Sequence, residues 1–231
     1  MSRTRVMLGA GAAMLASLVL VACGESPEAD PVAVPTPTAT VAAPRTLLAA
    51  NYDEAMLGAK IEGPQGPEVE SVLTAQGRAI GRVVSFVACP RDTTGCDPAA
   101  MPEGTVYTYV HRVTVDEDVA DLQETDPAVE APATIFRSTR RATGFNGSIG
   151  YSREQAQAAL GDADAIGVTS DQGELIWRVT SGEGWKPGAT ITFWWQSTLP
   201  PEGPAEAWQF ETRSMSANAS APFPPADMPV E

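Results

Sequence analysis

Apolar and polar positions alternate through the second half of the chain. Leu175, Trp177 and Val179 share one face of the segment Glu174–Thr180. In Thr190–Ser197, Ile191, Phe193 and Trp195 face one way, and Thr190, Thr192, Trp194 and Gln196 face the other. Glu206–Arg213 turns Trp208 and Phe210 inward and Gln209, Glu211 and Arg213 outward. Successive side chains of a β-strand point to opposite faces, so this period of two, rich in aromatic and β-branched residues, predicts strands. Asp171-Gln172-Gly173, Gly182-Glu183-Gly184 and Lys186-Pro187-Gly188 punctuate them as turns. Further strands are expected over Ala79–Ala88, Thr105–Val115 and Thr134–Ser138. The first two are apolar on both faces, as central strands of a sandwich are.

One helix is legible. Ser152 followed by Arg153, Glu154 and Gln155 matches a capping box, in which the serine and the third helical side chain each bond the other's backbone N–H. Ala156, Ala158, Ala159 and Leu160 follow, and Gly161 is placed to end the helix. A weaker helical pattern runs from Asn51 to Gly58, with Glu54 in the reciprocal position. Short strands, Gly/Pro turns and one or two short helices predict a mainly β fold, an antiparallel sandwich or a partly closed barrel. An antiparallel α+β domain is the alternative.

Composition changes sharply outside residues 46–213, the expected globular domain. Residues 24–45 interleave Pro27, Pro31, Pro35, Pro37 and Pro44 with Ala, Val and Thr. Such a segment reads as a semi-extended tether behind Cys23, rising ~3.1 Å per residue when in polyproline geometry. Residues 214–231 carry Pro222, Pro224, Pro225 and Pro229 with little periodicity and read as a disordered tail, with Phe223 able to dock on the domain.

Residues 1–22 read as a removable targeting segment. Arg3 and Arg5 give a basic start, and an apolar stretch from Val6 to Ala22 follows. It falls short of the ~20 apolar residues of a spanning helix and ends on small residues. The string Leu20-Val21-Ala22-Cys23 resembles the lipobox of bacterial lipoproteins. That resemblance implies a diacylglyceryl group on the Cys23 thiol, cleavage before Cys23, and acylation of the new amine by a palmitate-class chain. Each buried methylene adds ~0.8 kcal/mol, so two or more chains anchor stably. Gly24 stands where an aspartate retains Gram-negative members at the inner membrane. The expected address is therefore the cell envelope, on the periplasmic side of the outer membrane if the source is Gram-negative.

Charge narrows the partners. The chain carries a net charge of −14, and loss of Arg3 and Arg5 with the leader takes it to −16. A surface this acidic repels nucleic acid, which is excluded as a partner. Beyond Cys23, only Cys89 and Cys96 remain, across a turn-forming Pro-Arg-Asp-Thr-Thr-Gly loop. In an exported protein they are expected to form a disulfide. Zinc would need two further ligands, and His111 is the only histidine. No cofactor or metal motif is present.

The remaining chemistry is sparse. Tyr107, Tyr109 and His111 fall at strand spacing on one face, a possible ligand or proton-transfer surface, although Val113 and Val115 continue that face as a half-buried strand would. Trp194 points away from Trp195, among Thr190, Thr192 and Gln196, where it suits stacking on a sugar or anchoring a protein unless a loop, tail or helix covers it. The acidic run Asp116, Glu117, Asp118, Asp121, Glu124, Asp126 and Glu130 offers oxygen ligands to calcium. It departs from an EF-hand loop, with Ala120 fifth and Asp121 in place of the sixth-position glycine. Arg137, Arg140 and Arg141 form the one dense basic cluster, fit to grip an anionic glycan or phosphate or to pair with the protein's own carboxylates.

Together these features lead to a membrane-anchored envelope lipoprotein whose β domain is a non-enzymatic binding module for an envelope protein or glycan. A carboxylate-dependent glycan hydrolase is the alternative, since that chemistry needs two placed acids. A purely structural spacer is the third reading.

Overall fold

The alternating segments become strands, and the strands build two sheets packed face to face. The computed structural model describes residues 43–63, 67–117, 134–213 and 215–226. The expected leader, Cys23, most of the expected tether and the acidic run from Asp118 to Glu130 lie outside the described residues. One sheet runs in the order β1 (Arg45–Leu47), β9 (Ile166–Asp171), β10 (Glu174–Val179), β7 (Ile135–Ser138), β12 (Gly203–Glu211) and β13 (Ser216–Phe223). The other runs β2 (Ala50–Asn51), β8 (Phe145–Tyr151), β11 (Thr190–Ser197), β6 (Tyr107–Val115), β5 (Arg78–Pro90) and β3 (Leu57–Lys60). A further strand, β4 (Val69–Ala75), pairs with the first half of the long β5. Only the two-residue β2–β8 pairing is parallel among these ladders. The fold is a mainly β, antiparallel sandwich with one short helix.

Large aromatic side chains from both sheets fill the space between them. Phe136 stacks on Phe193 across the layers at 5.1 Å and on Trp208 within its own sheet at 5.0 Å. Trp177 reaches across to donate from Nε1 to the Gly150 carbonyl at 3.0 Å. Ile191, Phe193, Trp195, Trp208 and Phe210 are all buried, so the inward faces are those the alternation gives. Each such ring removes ~150–250 Å² from water, which makes this layer the main source of stability.

The sandwich is partly closed at both sides. Residues 45–51 cross from β9 of one sheet to β8 of the other. On the far side the Ser220 N–H donates to Ser71 Oγ at 3.0 Å, joining β13 to β4. Here the structure corrects the expected C-terminal tail. Ser216–Phe223 pairs along β12 from end to end, and Ala217, Ala219, Ala221 and Phe223 are buried. The core is already occupied by Trp208 and Phe210, whose register partners are Ala219 and Ala217, so this strand supplies small side chains there. Residues 227–231 lie outside the described set.

The helix α1 (Arg153–Leu160) starts at Ser152, whose Oγ accepts from the Gln155 N–H at 3.3 Å. It ends at Gly161 with φ of 81°, a left-handed conformation that glycine adopts without strain. The reciprocal half of the capping box is redirected. Gln155 Oε1 accepts from the Thr192 N–H at 2.7 Å, while the Ser152 N–H donates to the Thr192 carbonyl at 2.9 Å. The helix is thereby pinned to β11. The second helical pattern shrinks to one 3₁₀ turn, Glu54–Met56, capped by Asp53 and set between β2 and β3.

Candidate functional site

The Tyr107, Tyr109, His111 series does share one face of β6, but that face is the core. Their exposures are 3%, 0% and 0%, so they offer no surface to a partner, which corrects their placement as a binding surface. Tyr109 stacks on Trp195 at 4.4 Å and donates its hydroxyl to the Leu199 carbonyl at 3.0 Å. His111 lies 4.1 Å from the Trp208 ring, between Ser85 Oγ at 2.9 Å from Nδ1 and Trp195 Nε1 at 3.3 Å from Nε2. An indole N–H only donates, so Nε2 must accept and Nδ1 carries the proton toward Ser85. Complete burial drives the His111 pKa down to about 3, and the imidazole stays neutral. It is a hydrogen-bonded core residue, not a proton shuttle working near neutrality.

Cys89 and Cys96 are disulfide-bonded, with Cα atoms 5.7 Å apart. Cys89 is buried and Cys96 half-exposed. A hollow of about 500 Å³ opens beside this loop, walled by Lys60, Glu62, Thr94, Cys96 and Asp97 among others. Its cation is already committed, since Lys60 Nζ sits 2.6 Å from Glu68 and 4.1 Å from the Phe86 ring centre.

Trp194 points outward, away from the main core, yet it is only half-exposed. It packs with Tyr52 and Leu57 on a small second cluster of Phe86, Ala88 and Val110. The residues from Tyr52 to Lys60 cover this part of the sheet, which explains why β5 and β6 read as apolar on both faces. A free stacking platform is therefore not what Trp194 presents in this state.

The three arginines separate. Arg137 lies on the outer face of β7 between two acids, Glu211 on β12 at 3.1 Å and Glu174 on β10 at 3.8 Å, and donates to Gln209 at 3.3 Å. Arg141 lies against Gly173. Arg140 is half-buried with its guanidinium 5.4 Å from the Phe223 ring centre, within cation–π reach, and meets no carboxylate among the described residues. It borders a hollow of about 290 Å³ walled by Glu202, Gly203, Pro204, Ala205, Phe223 and Pro224. The sequence singled out Arg140 but not these walls, because they belong to the start of β12 and to the end of β13. Phe223 was the only signal, an aromatic in a proline-rich stretch.

Two described acids sit among neighbours that favour their charged form. Glu68 is held below the usual carboxylate range by a hydrogen bond from Lys60, with added help from the charges of Lys60 and Arg112. Asp162 is lowered by the backbone N–H of Asp164 and the hydroxyl of Ser181. Both shifts run opposite to that of a general acid, which needs a raised pKa. Among the described residues no group of three His, Cys, Asp or Glu side chains is placed to hold a metal ion. No described helix is long and apolar enough to cross a membrane. Comparison with protein families, curated proteins and solved structures finds no match to this chain.

Proposed function

We propose that this chain is an envelope lipoprotein anchored through lipid on Cys23, whose sandwich works as a non-enzymatic binding module with its site at Arg140. The anchor rests on the sequence order of basic start, apolar stretch and Leu-Val-Ala-Cys. The observation that carries the binding reading is the hollow beside Arg140. Among the described residues, the other half-buried arginines, Arg112, Arg137 and Arg153, each pair with a carboxylate, and Arg140 does not. Its pairing with the apolar walls of Phe223, Pro204 and Pro224 fits a ligand with a carboxylate or phosphate next to an apolar group. The planar fork of arginine matches such an anion geometrically. The periplasmic side of the outer membrane is the proposed address in a Gram-negative envelope.

Titrating the mature protein with benzoate, acetate and inorganic phosphate, followed by amide chemical shifts, tests the site. Benzoate is expected to shift residues 139–141, 202–205 and 222–224 more than acetate does, and Arg140→Met abolishes the response. Equal response in Arg140→Met, or shifts spread over the whole surface, contradicts the assignment. Fractionation tests the address: Cys23→Ala moves the protein from the membrane pellet to the soluble fraction, and unchanged partition contradicts it.

A further inference from the structure

The outer face of the second sheet carries an apolar row under a cover. Phe86, Val110 and Trp194 are register partners across β5, β6 and β11, so they lie side by side on the face away from the aromatic core. Flanking positions on that face are Arg112 and Thr192, and such a row exposed to water would be an adhesive patch. Tyr52 and Leu57 cover it: the Tyr52 N–H donates to the Tyr151 carbonyl at 3.0 Å and Leu57 pairs with Pro90, and the segment between these two points is lightly held. Its 3₁₀ turn buries no residue, and Met56 is 57% exposed. Its ion pair Arg112–Glu54 joins side chains 32% and 70% exposed, a class that holds weakly. The Trp194 Nε1 is buried beneath it with no hydrogen-bond partner, so lifting the segment returns that N–H to water.

The firm attachment is at the far end, and it runs through the disulfide. β3 lies between the end of β5 on one side and the Cys89–Cys96 loop on the other. The Ile61 N–H donates to the Val87 carbonyl at 2.8 Å, and the Ala59 N–H donates to the Thr93 carbonyl at 2.9 Å. Ile61 also bridges to Cys96 itself. The approach is close enough that a side-chain carbon on Gly58 would stand 2.1 Å from the Pro90 carbonyl oxygen. The disulfide folds the loop back along β3 and so keeps the second wall of this slot in place.

We infer that Tyr52–Ile61 is a strap over the Phe86–Val110–Trp194 row, latched by the Cys89–Cys96 disulfide and released when a dithiol reductant opens it. The reductant's thiolate attacks Sγ of Cys96, a half-exposed residue that lines the 500 Å³ hollow, while Cys89 is shielded by burial. The S–S bond breaks, Cys89 leaves as a thiolate and takes a proton, and a mixed disulfide forms on Cys96. The second thiol of the reductant displaces Cys96, which is protonated in turn. Two electrons and two protons pass to the protein, and the reductant departs as its own disulfide. The loop then falls away from β3, and the apolar row is exposed. This inference stands apart from the Arg140 site.

Hydrogen exchange and acrylamide quenching on the full mature protein test it, before and after treatment with dithiothreitol and alkylation. Peptides covering 52–61 are expected to exchange at least ~10-fold faster after reduction, with β7 and β12 unchanged, as a local opening requires. One additional tryptophan becomes quenchable, and Trp194→Phe removes that gain. Gly58→Val, with the disulfide intact, displaces β3 and gives the same pattern without a reductant. Protection of 52–61 that survives reduction overturns the inference. So does loss of protection across both sheets together, which makes the disulfide a global staple.

Discussion

Acid should destabilise this protein through His111 before its carboxylates begin to protonate. In the fold the imidazole is 0% exposed, neutral, and shifted to a pKa of about 3. In the unfolded chain it returns to about 6.5. The folded pKa is the lower one, so between these values the unfolded chain binds a proton that the native protein does not. Stability is full above the unfolded pKa and falls as pH drops toward the folded one. Moving from pH 7 to pH 5 therefore removes about 2 kcal/mol, taking 1.36 kcal/mol per pH unit below the unfolded pKa. Stopping at pH 5 stays above the unfolded carboxylate values of about 4, where the stability that Glu68 and Asp162 gain from their lowered folded pKa values begins to be lost. Urea unfolding followed by tryptophan fluorescence at pH 7, 6 and 5 measures the loss, and His111→Gln should flatten it. As the only histidine in the chain, His111 can also be followed alone by NMR, where the native ring is expected not to titrate down to pH 5. A native imidazole titrating near 6.5, or equal pH slopes in wild type and His111→Gln, refutes this reasoning.

Other perturbations probe the fold. Ala219→Asp places a charge opposite Trp208 in the core and should cost roughly 3 kcal/mol or more in urea unfolding, whereas the same change in a free tail would be neutral. Gln155→Ala strips the Thr192 N–H of its acceptor and should cost about 1–2 kcal/mol, with faster exchange at that amide. Arg137→Met breaks two ion pairs whose members are about a third exposed, and should change stability by less than about 1 kcal/mol in the same assay.

The strands legible in the sequence are those where alternation carries large side chains. β10 and β11 announced both their extent and their inward faces through Trp177, Phe193 and Trp195, while β12 announced the inward Trp208 and Phe210 but runs Gly203–Glu211 rather than the expected Glu206–Arg213. β13 did not, because its inward positions are alanines that complement those rings, and Ala and Pro are poor strand formers. β8 was hidden for a related reason, since Asn146, Gly147 and Gly150 break the expected composition. The capping signal at Ser152 was sound, while the partner of Gln155 depended on tertiary contact with β11. For the site, the sequence could place Tyr107, Tyr109 and His111 on one face but not say that the face is internal. Nor could it separate Arg140 from its neighbours, because the acids that engage Arg137 come from β10 and β12. The proposed anchor rests on the short string around Cys23 alone.

That string supplies the most direct test of the proposed anchoring. Mass spectrometry of the N-terminal peptide, taken from protein extracted from the membrane fraction of an expressing bacterium, reads it in one step. The expected peptide begins at Cys23 and carries a diacylglyceryl thioether, with or without an acyl group on the amine. An unmodified Cys23, a chain still beginning at Met1, or cleavage at another bond would contradict the anchoring.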